Sequence, residues 1–209
     1  MNINIPPVTQ ALILVNVVVY LLSQIFGSGP YVFYEPPFGW FALWPLGMDG
    51  YILQFEPWQL ITYAFFHSPD TLAHLFFNMF ALFMFGSELE RLFGTRWFAS
   101  YYLVCVVSAA IAQLIVSAVT AGPPYPIVGA SGGVFGLLLA YGMYFPHRKL
   151  MLIFLPVPLP AWLFVMLYAI AELLFGVTGT LPGIAHFAHL GGMIGGFLMI
   201  VNRRGRWGR

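Results

Sequence analysis

From Trp97 to His147 the chain carries no Lys, Arg, Asp or Glu, and from Met1 to Tyr34 it carries none either. Such runs exceed the roughly 20 apolar residues that a helix needs to cross a hydrocarbon core. In lipid every backbone N–H and C=O must be paired within the protein, which restricts the chain to helices or closed barrels. Composition points the same way: 60% of the residues are hydrophobic, 18% aromatic and 7% charged, where a soluble domain carries about 25% charged residues. We therefore read an all-α membrane protein with several spans rather than one anchor.

Turn residues and charges divide the chain, read as a single domain over 1–209, into six spans at about 8–26, 72–87, 97–120, 131–145, 160–175 and 184–201. Pro6-Pro7 and Gly27-Ser28-Gly29-Pro30 bracket the first. No basic stretch or small-residue cleavage site precedes it, so it is read as a retained helix. The basic residues Arg91, Arg96, Arg148, Lys149, Arg203, Arg204, Arg206 and Arg209 fall after the second, fourth and sixth spans. The positive-inside bias then places both termini in the cytoplasm. Residues from about Tyr31 to Trp58 are too polar to span, with Glu35, Asp49 and Glu56, yet rich in Trp, so they are expected to lie in the headgroup region. Cys105 lies within an apolar run and reads as a small core residue.

The fourth span is the unusual one. Gly122-Pro123-Pro124-Tyr125-Pro126 leads into Gly129-Ala130-Ser131-Gly132, and from Ser131 to Phe145 there are too few residues for a full crossing at about 1.5 Å rise each. A short helix must start below the outer surface. The irregular backbone before it is tolerable only where protein or a water-filled cavity pairs it. Ser131 thus sits recessed at a helix start. Serine needs an adjacent base to act as a nucleophile, and His189, some five residues into the sixth span, lies at the same outer level. His74 and Asn78, four apart and on one face of the second span, are donors for a developing oxyanion. Gly129 and Gly132 leave room for a peptide to approach. Gly191, Gly192, Gly195 and Gly196 form two overlapping Gly-x-x-x-Gly pairs that admit a neighbouring helix, a packing motif. Glu172 stands near the outer end of the fifth span, where an ionisable group is either functional or able to reach water. Pro156, Pro158 and Pro160 make the preceding stretch extended rather than helical.

His74-Leu75-Phe76-Phe77-Asn78, Gly129-Ala130-Ser131-Gly132, and Ala188-His189-Leu190-Gly191-Gly192 with Gly196, in that order, together with the Glu90 to Gly94 spacing, resemble the rhomboid intramembrane serine proteases. The resemblance implies a six-helix rhomboid bundle with a short recessed fourth helix and an interfacial first loop. It implies a Ser131–His189 dyad without a carboxylate, an oxyanion site of His74, Asn78 and the Ser131 backbone N–H, and transmembrane protein substrates cleaved in or near their membrane segments. His186 is similar to an extra histidine of many members and reads as a neighbour of the base. Gly192 and Gly196 are read as helix-packing positions. Two departures stand out: Gln59 follows Trp58 where the family often has arginine, which puts the anchoring of the first loop in doubt. Phe135 replaces a tyrosine four residues after the serine, keeping the stacking on histidine without the hydroxyl.

A metal-dependent protease would need a His-Glu-x-x-His helix or a carboxylate at ligand spacing, which the sequence lacks, so neither metal nor cofactor is expected. Partners are expected to be membrane lipid and membrane proteins, with no nucleic acid, and the setting a multi-pass protein of a bacterial inner membrane with the site open to the outer face. Substrates are expected to enter sideways past the fifth helix. A client-binding membrane chaperone of the same fold is the alternative, though such a relative is expected to lack the serine or the histidine.

Overall fold

The structure is a computed structural model describing residues 4–48, 52–120, 124–152, 155–181 and 183–207, without the side chains of 152, 155, 156 and 204–207. Asp49, Gly122, Pro123 and Arg209 lie outside the described residues. The long elements are helices α1 (Pro7–Phe26), α2 (Leu72–Phe93, with a π turn at Leu82–Gly86), α3 (Thr95–Val119) and α4 (Ser131–Tyr144). Strands β1 (Lys149–Leu152) and β2 (Leu155–Pro160) follow, then α5 (Ala161–Thr178) and α6 (His186–Trp207). Among the described residues α1, α2, α3 and α5 are long and apolar enough to cross a membrane, and α4 is a shorter apolar helix.

The bundle is polar on the inside of its outer helix. On α1, Thr9, Asn16 and Ser23 recur every seven residues and are buried, while Leu14, Leu21, Ile25 and Phe26 are exposed. In water this arrangement would be unstable; against lipid it is the stable one, because the apolar side chains need no burial, while the Thr9 hydroxyl bonds to Glu90 and the Asn16 amide nitrogen and Ser23 hydroxyl bond to carbonyls of their own helix. Similar exposed apolar faces run along α5, through Met166, Ile170, Leu173 and Leu174, and along α6, through Ile194, Phe197 and Leu198. The protein is an integral membrane protein.

Three helices form the centre. Added Cβ atoms at Gly191 and Gly195 of α6 would run into Ala112 and Ser108 of α3, and one at Gly192 would run into the carbonyl of Gly132 on α4. One at Gly196 would strike Tyr101 of α3, whose hydroxyl donates to the Gly136 carbonyl of α4 at 2.7 Å. At Gly192 the bare backbones of α4 and α6 touch. Cys105 is fully buried in this seam, against Gly136.

One end of the bundle gathers the basic residues. Arg148 pairs with Glu88 at the end of α2 and stacks on Phe145 at 4.2 Å, Arg203 lies over Trp97 at 4.3 Å, and Arg91 donates to the Asn4 carbonyl at 2.6 Å. Glu90 is buried there and caps α1. It accepts from the Val8 and Thr9 N–H groups at 3.0 and 2.8 Å and from the Thr9 hydroxyl at 2.8 Å, satisfying donors that no helix can satisfy for itself. Gly94, at φ 80°, reverses the chain between α2 and α3 in a conformation that a side chain would strain.

The proline-rich stretch before α5 is extended, as the sequence indicates, and it is also paired. β2 lies antiparallel to β1, with Lys149 opposite Pro160 and Leu150 opposite Leu159. The pairing continues into the start of α5, where Ala161 and Trp162 donate to the carbonyls of Arg148 and Pro146 at 2.8 and 3.2 Å. Prolines that cannot donate to a ladder fit an edge strand.

The first loop is folded against the helices rather than draped over them. Leu43 and Ile127 exchange backbone hydrogen bonds at 2.9 and 3.0 Å, and the Gly129 N–H donates to the Tyr63 carbonyl at 3.0 Å. The irregular run before Ser131 is thus paired by protein. Gln59 is buried and holds the loop: its side-chain oxygen accepts from the Trp44 N–H at 3.1 Å, and its amide nitrogen donates to the carbonyls of Trp40 and Gln54 at 3.1 and 3.0 Å. Gln59 thus ties the loop together through three hydrogen bonds of a neutral amide.

Candidate active site

Ser131 is the first residue of α4. The first helical bond is the one from Val134 N–H to Ala130 C=O at 3.0 Å, so the preceding N–H groups, Ser131 among them, project from the helix start toward its positive dipole end. The Ser131 hydroxyl lies 2.8 Å from His189 Nε2. Phe135, one turn along α4, stacks on the His189 ring with centroids 4.1 Å apart and planes 6° apart. This fixes the ring's plane without a hydroxyl.

Facing the serine, His74 accepts the Ser68 N–H on Nδ1 at 3.2 Å. A neutral imidazole that accepts on Nδ1 carries its hydrogen on Nε2, so His74 Nε2 is a donor. Gly129 fixes where that donor points. Its backbone, at φ 134°, favours glycine, and a Cβ added there would stand 3.0 Å from His74 Nε2 and 3.5 Å from Ser131 Oγ, with no third group nearer. A side chain there would crowd both nucleophile and donor, so glycine keeps the space between them open. Asn78, one turn below, donates one amide hydrogen to the His74 carbonyl at 2.9 Å and keeps a second. Gly132 borders the same space, but the side on which its Cβ would lie is filled by Ala109 of α3 and the Tyr63 hydroxyl. Its lack of a side chain serves the contact between helices more than access to the serine.

These groups line a cavity of about 920 Å³ walled by Phe77 and Met84 of α2 and by Phe164 and Tyr168 of α5, with His74, Asn78, Ser131 and His189 converging on one part of it. An apolar pocket with a few convergent polar groups is the usual form of a binding site.

Glu172 lies next to the Ser131–His189 pair. It is buried, and its Oε2 lies 2.9 Å from His189 Nδ1 and 2.7 Å from His186 Nδ1. The reading that it simply reaches water is set aside. The sequence has no carboxylate at ligand spacing, whereas the fold supplies one: the ligand-type atoms of Glu172, His186 and His189 lie within 4.8 Å of one another. Both imidazoles meet a single oxygen at hydrogen-bond distance. His67 stays apart from this group; it is fully buried and packs edge-on against His74 with centroids 4.9 Å apart.

The rhomboid domain family matches residues 54–205. The chain is 34% identical over 148 residues to the rhomboid protease GluP of Bacillus subtilis (strain 168), covering 70% of this chain and 26% of that protein. It is 29% identical over 214 residues to the mitochondrial rhomboid protein 1 of Saccharomyces cerevisiae, covering 85% and 60%. To the rhomboid protease GlpG of Serratia proteamaculans (strain 568) it is 28% identical over 197 residues, covering 92% and 61%. The chain spans less than two thirds of the length of each of these relatives. With the domain match extending from the first loop into α6, the chain belongs to the rhomboid family.

Proposed function

We propose that the protein is an intramembrane serine endopeptidase that hydrolyses peptide bonds in or next to transmembrane segments of other membrane proteins. The observation that carries this reading is the 2.8 Å contact between Ser131 Oγ and His189 Nε2 in the wall of the cavity between α2 and α5. His189 takes the serine proton as Oγ attacks the substrate carbonyl. We assign stabilisation of the oxyanion to His74 Nε2–H, the Ser131 N–H and the free amide hydrogen of Asn78. His189 then returns its proton to the leaving amine, and the C–N bond breaks. Water, deprotonated by the same Nε2, releases the acyl group and restores the serine.

The topology follows from the same features. We read all six helices as spans, with α4, at about 21 Å for its 14 residues, too short for a hydrocarbon core of about 30 Å and therefore recessed. Arg91, Arg148, Arg203 and the start of α1 share one end of the bundle, which we assign to the cytoplasm. The reacting groups lie toward the opposite, outer face. Substrate enters between α2 and α5, both of which line the cavity.

The test is cleavage of a transmembrane substrate in lipid vesicles by the wild-type protein and by Ser131→Ala and His189→Ala. Cleavage abolished in both supports the reading. Cleavage that persists in folded Ser131→Ala refutes it.

A further inference from the structure

Resting on that reading, we propose that Glu172 is a positioning residue that fixes the tautomer of His189, with His186 as its compensating partner, so that Ser131, His189 and Glu172 form one line of hydrogen bonds.

The argument is a count of hydrogens. His186 Nε2 lies 3.2 Å from the Thr180 carbonyl oxygen, which only accepts, so Nε2 carries a hydrogen. For His189 to receive the serine proton its Nε2 must be bare, so Nδ1 carries the hydrogen and donates to Glu172 Oε2 at 2.9 Å. That leaves the 2.7 Å contact between the same Oε2 and His186 Nδ1. Two bare acceptors do not hold that distance, so one further proton lies between them. Whether it resides on the nitrogen or the oxygen, the Glu172–His186 unit has no net charge, and Oε2 still accepts from His189. The arrangement answers how a carboxylate is kept in an apolar helix: a buried charge persists only when paired and hydrogen-bonded.

His189 therefore has its orientation fixed three ways, by Phe135 on its face, Ser131 at one nitrogen and Glu172 at the other. Without the carboxylate the ring is free to carry its hydrogen on Nε2, in which form it cannot take the serine proton. Among the described residues, titratable groups near this line include His74 across the cavity, Tyr63 beside Gly132, and Tyr168, one turn before Glu172 on α5 and 4.9 Å from Phe135. His186 faces away from the reacting cavity, lining a second outer cavity of about 960 Å³ with Gln113, Thr180 and Phe187.

Glu172→Gln is the direct test. Both histidines meet one oxygen, and an amide can offer either an acceptor or a donor at that position. One of the two rings must lose its bond. Hydrogen bonds to charged groups contribute about 1.5–3 kcal/mol, so kcat is expected to fall about 10- to 100-fold, with KM for the membrane substrate changed less than about twofold. Nitrogen-15 NMR of labelled histidine should find the hydrogen on Nδ1 of His189 in the wild type and mixed or on Nε2 in the variant. Glu172→Asp, which keeps the charge but draws it back, should recover part of kcat, and it also serves if the glutamine variant does not fold. A wild-type kcat and an unchanged His189 tautomer in the folded variants would overturn the proposal while Ser131→Ala remains inactive. An active Ser131→Ala would instead overturn the protease reading on which it rests.

Discussion

Gly192→Ala is expected to damage catalysis more than its distance in sequence from the nucleophile suggests. Gly192 is three residues beyond His189 on α6, and Gly132 is adjacent to Ser131 on α4, so this backbone contact sets the spacing of the two reacting side chains. A Cβ at 192 would overlap the Gly132 carbonyl, whereas ordinary contact begins at 3.4 Å. Neither partner is a flexible side chain, so the helices must separate by roughly 1 Å or more, and misplacement on that scale costs about 100-fold in rate. The Ser131–His189 hydrogen bond, now 2.8 Å, would be stretched out of range. Overpacking is expected to cost about 1–3 kcal/mol, although alanine is intrinsically the better helix former by about 1 kcal/mol. The assay is cleavage of a transmembrane substrate in vesicles, with thermal unfolding in detergent alongside. A variant that is as stable as the wild type and cleaves at the same rate would refute the claim that bare backbone contact between α4 and α6 sets the site.

Three other outcomes follow from the same geometry. Glu90→Gln replaces one of two acceptors that receive three donors from the start of α1; a loss of about 2–3 kcal/mol should appear in thermal unfolding, and a change under about 0.5 kcal/mol would contradict the capping role. Gln59→Ala leaves the Trp44 N–H and the Trp40 and Gln54 carbonyls without their side-chain partner; a destabilisation of about 1–3 kcal/mol, read by proteolysis of the first loop, checks it. A crosslink tying α2 to α5 across the cavity should abolish cleavage of a membrane substrate yet leave labelling by a small fluorophosphonate intact. Undiminished cleavage would rule out entry between those helices.

What the sequence made legible was local. A helix too short to cross, a serine at its start, two polar residues four apart and glycines at four-residue spacing each constrain one helix, and the structure brings Ser131, His189, His74 and Asn78 to a single cavity. Contacts that depend on how helices rotate against one another were not legible. Glu172 is 17 residues from His189 across a loop of glycine and threonine, and neither periodicity nor spacing says that the two face each other. Glu90 reaches the start of α1 from 82 residues away, so its carboxylate reads as an ordinary end-of-span charge. Gln59 reads as a missing arginine until its three backbone partners are seen. In the proline run, extended backbone is dictated locally, but the strand it pairs with is not.

The most direct measurement is mass spectrometry of the purified protein after reaction with a fluorophosphonate. The account requires a single covalent adduct on Ser131, absent in Ser131→Ala and strongly slowed in His189→Ala. A folded wild-type protein that acquires no adduct on Ser131, in detergent and in bilayers alike, would contradict it.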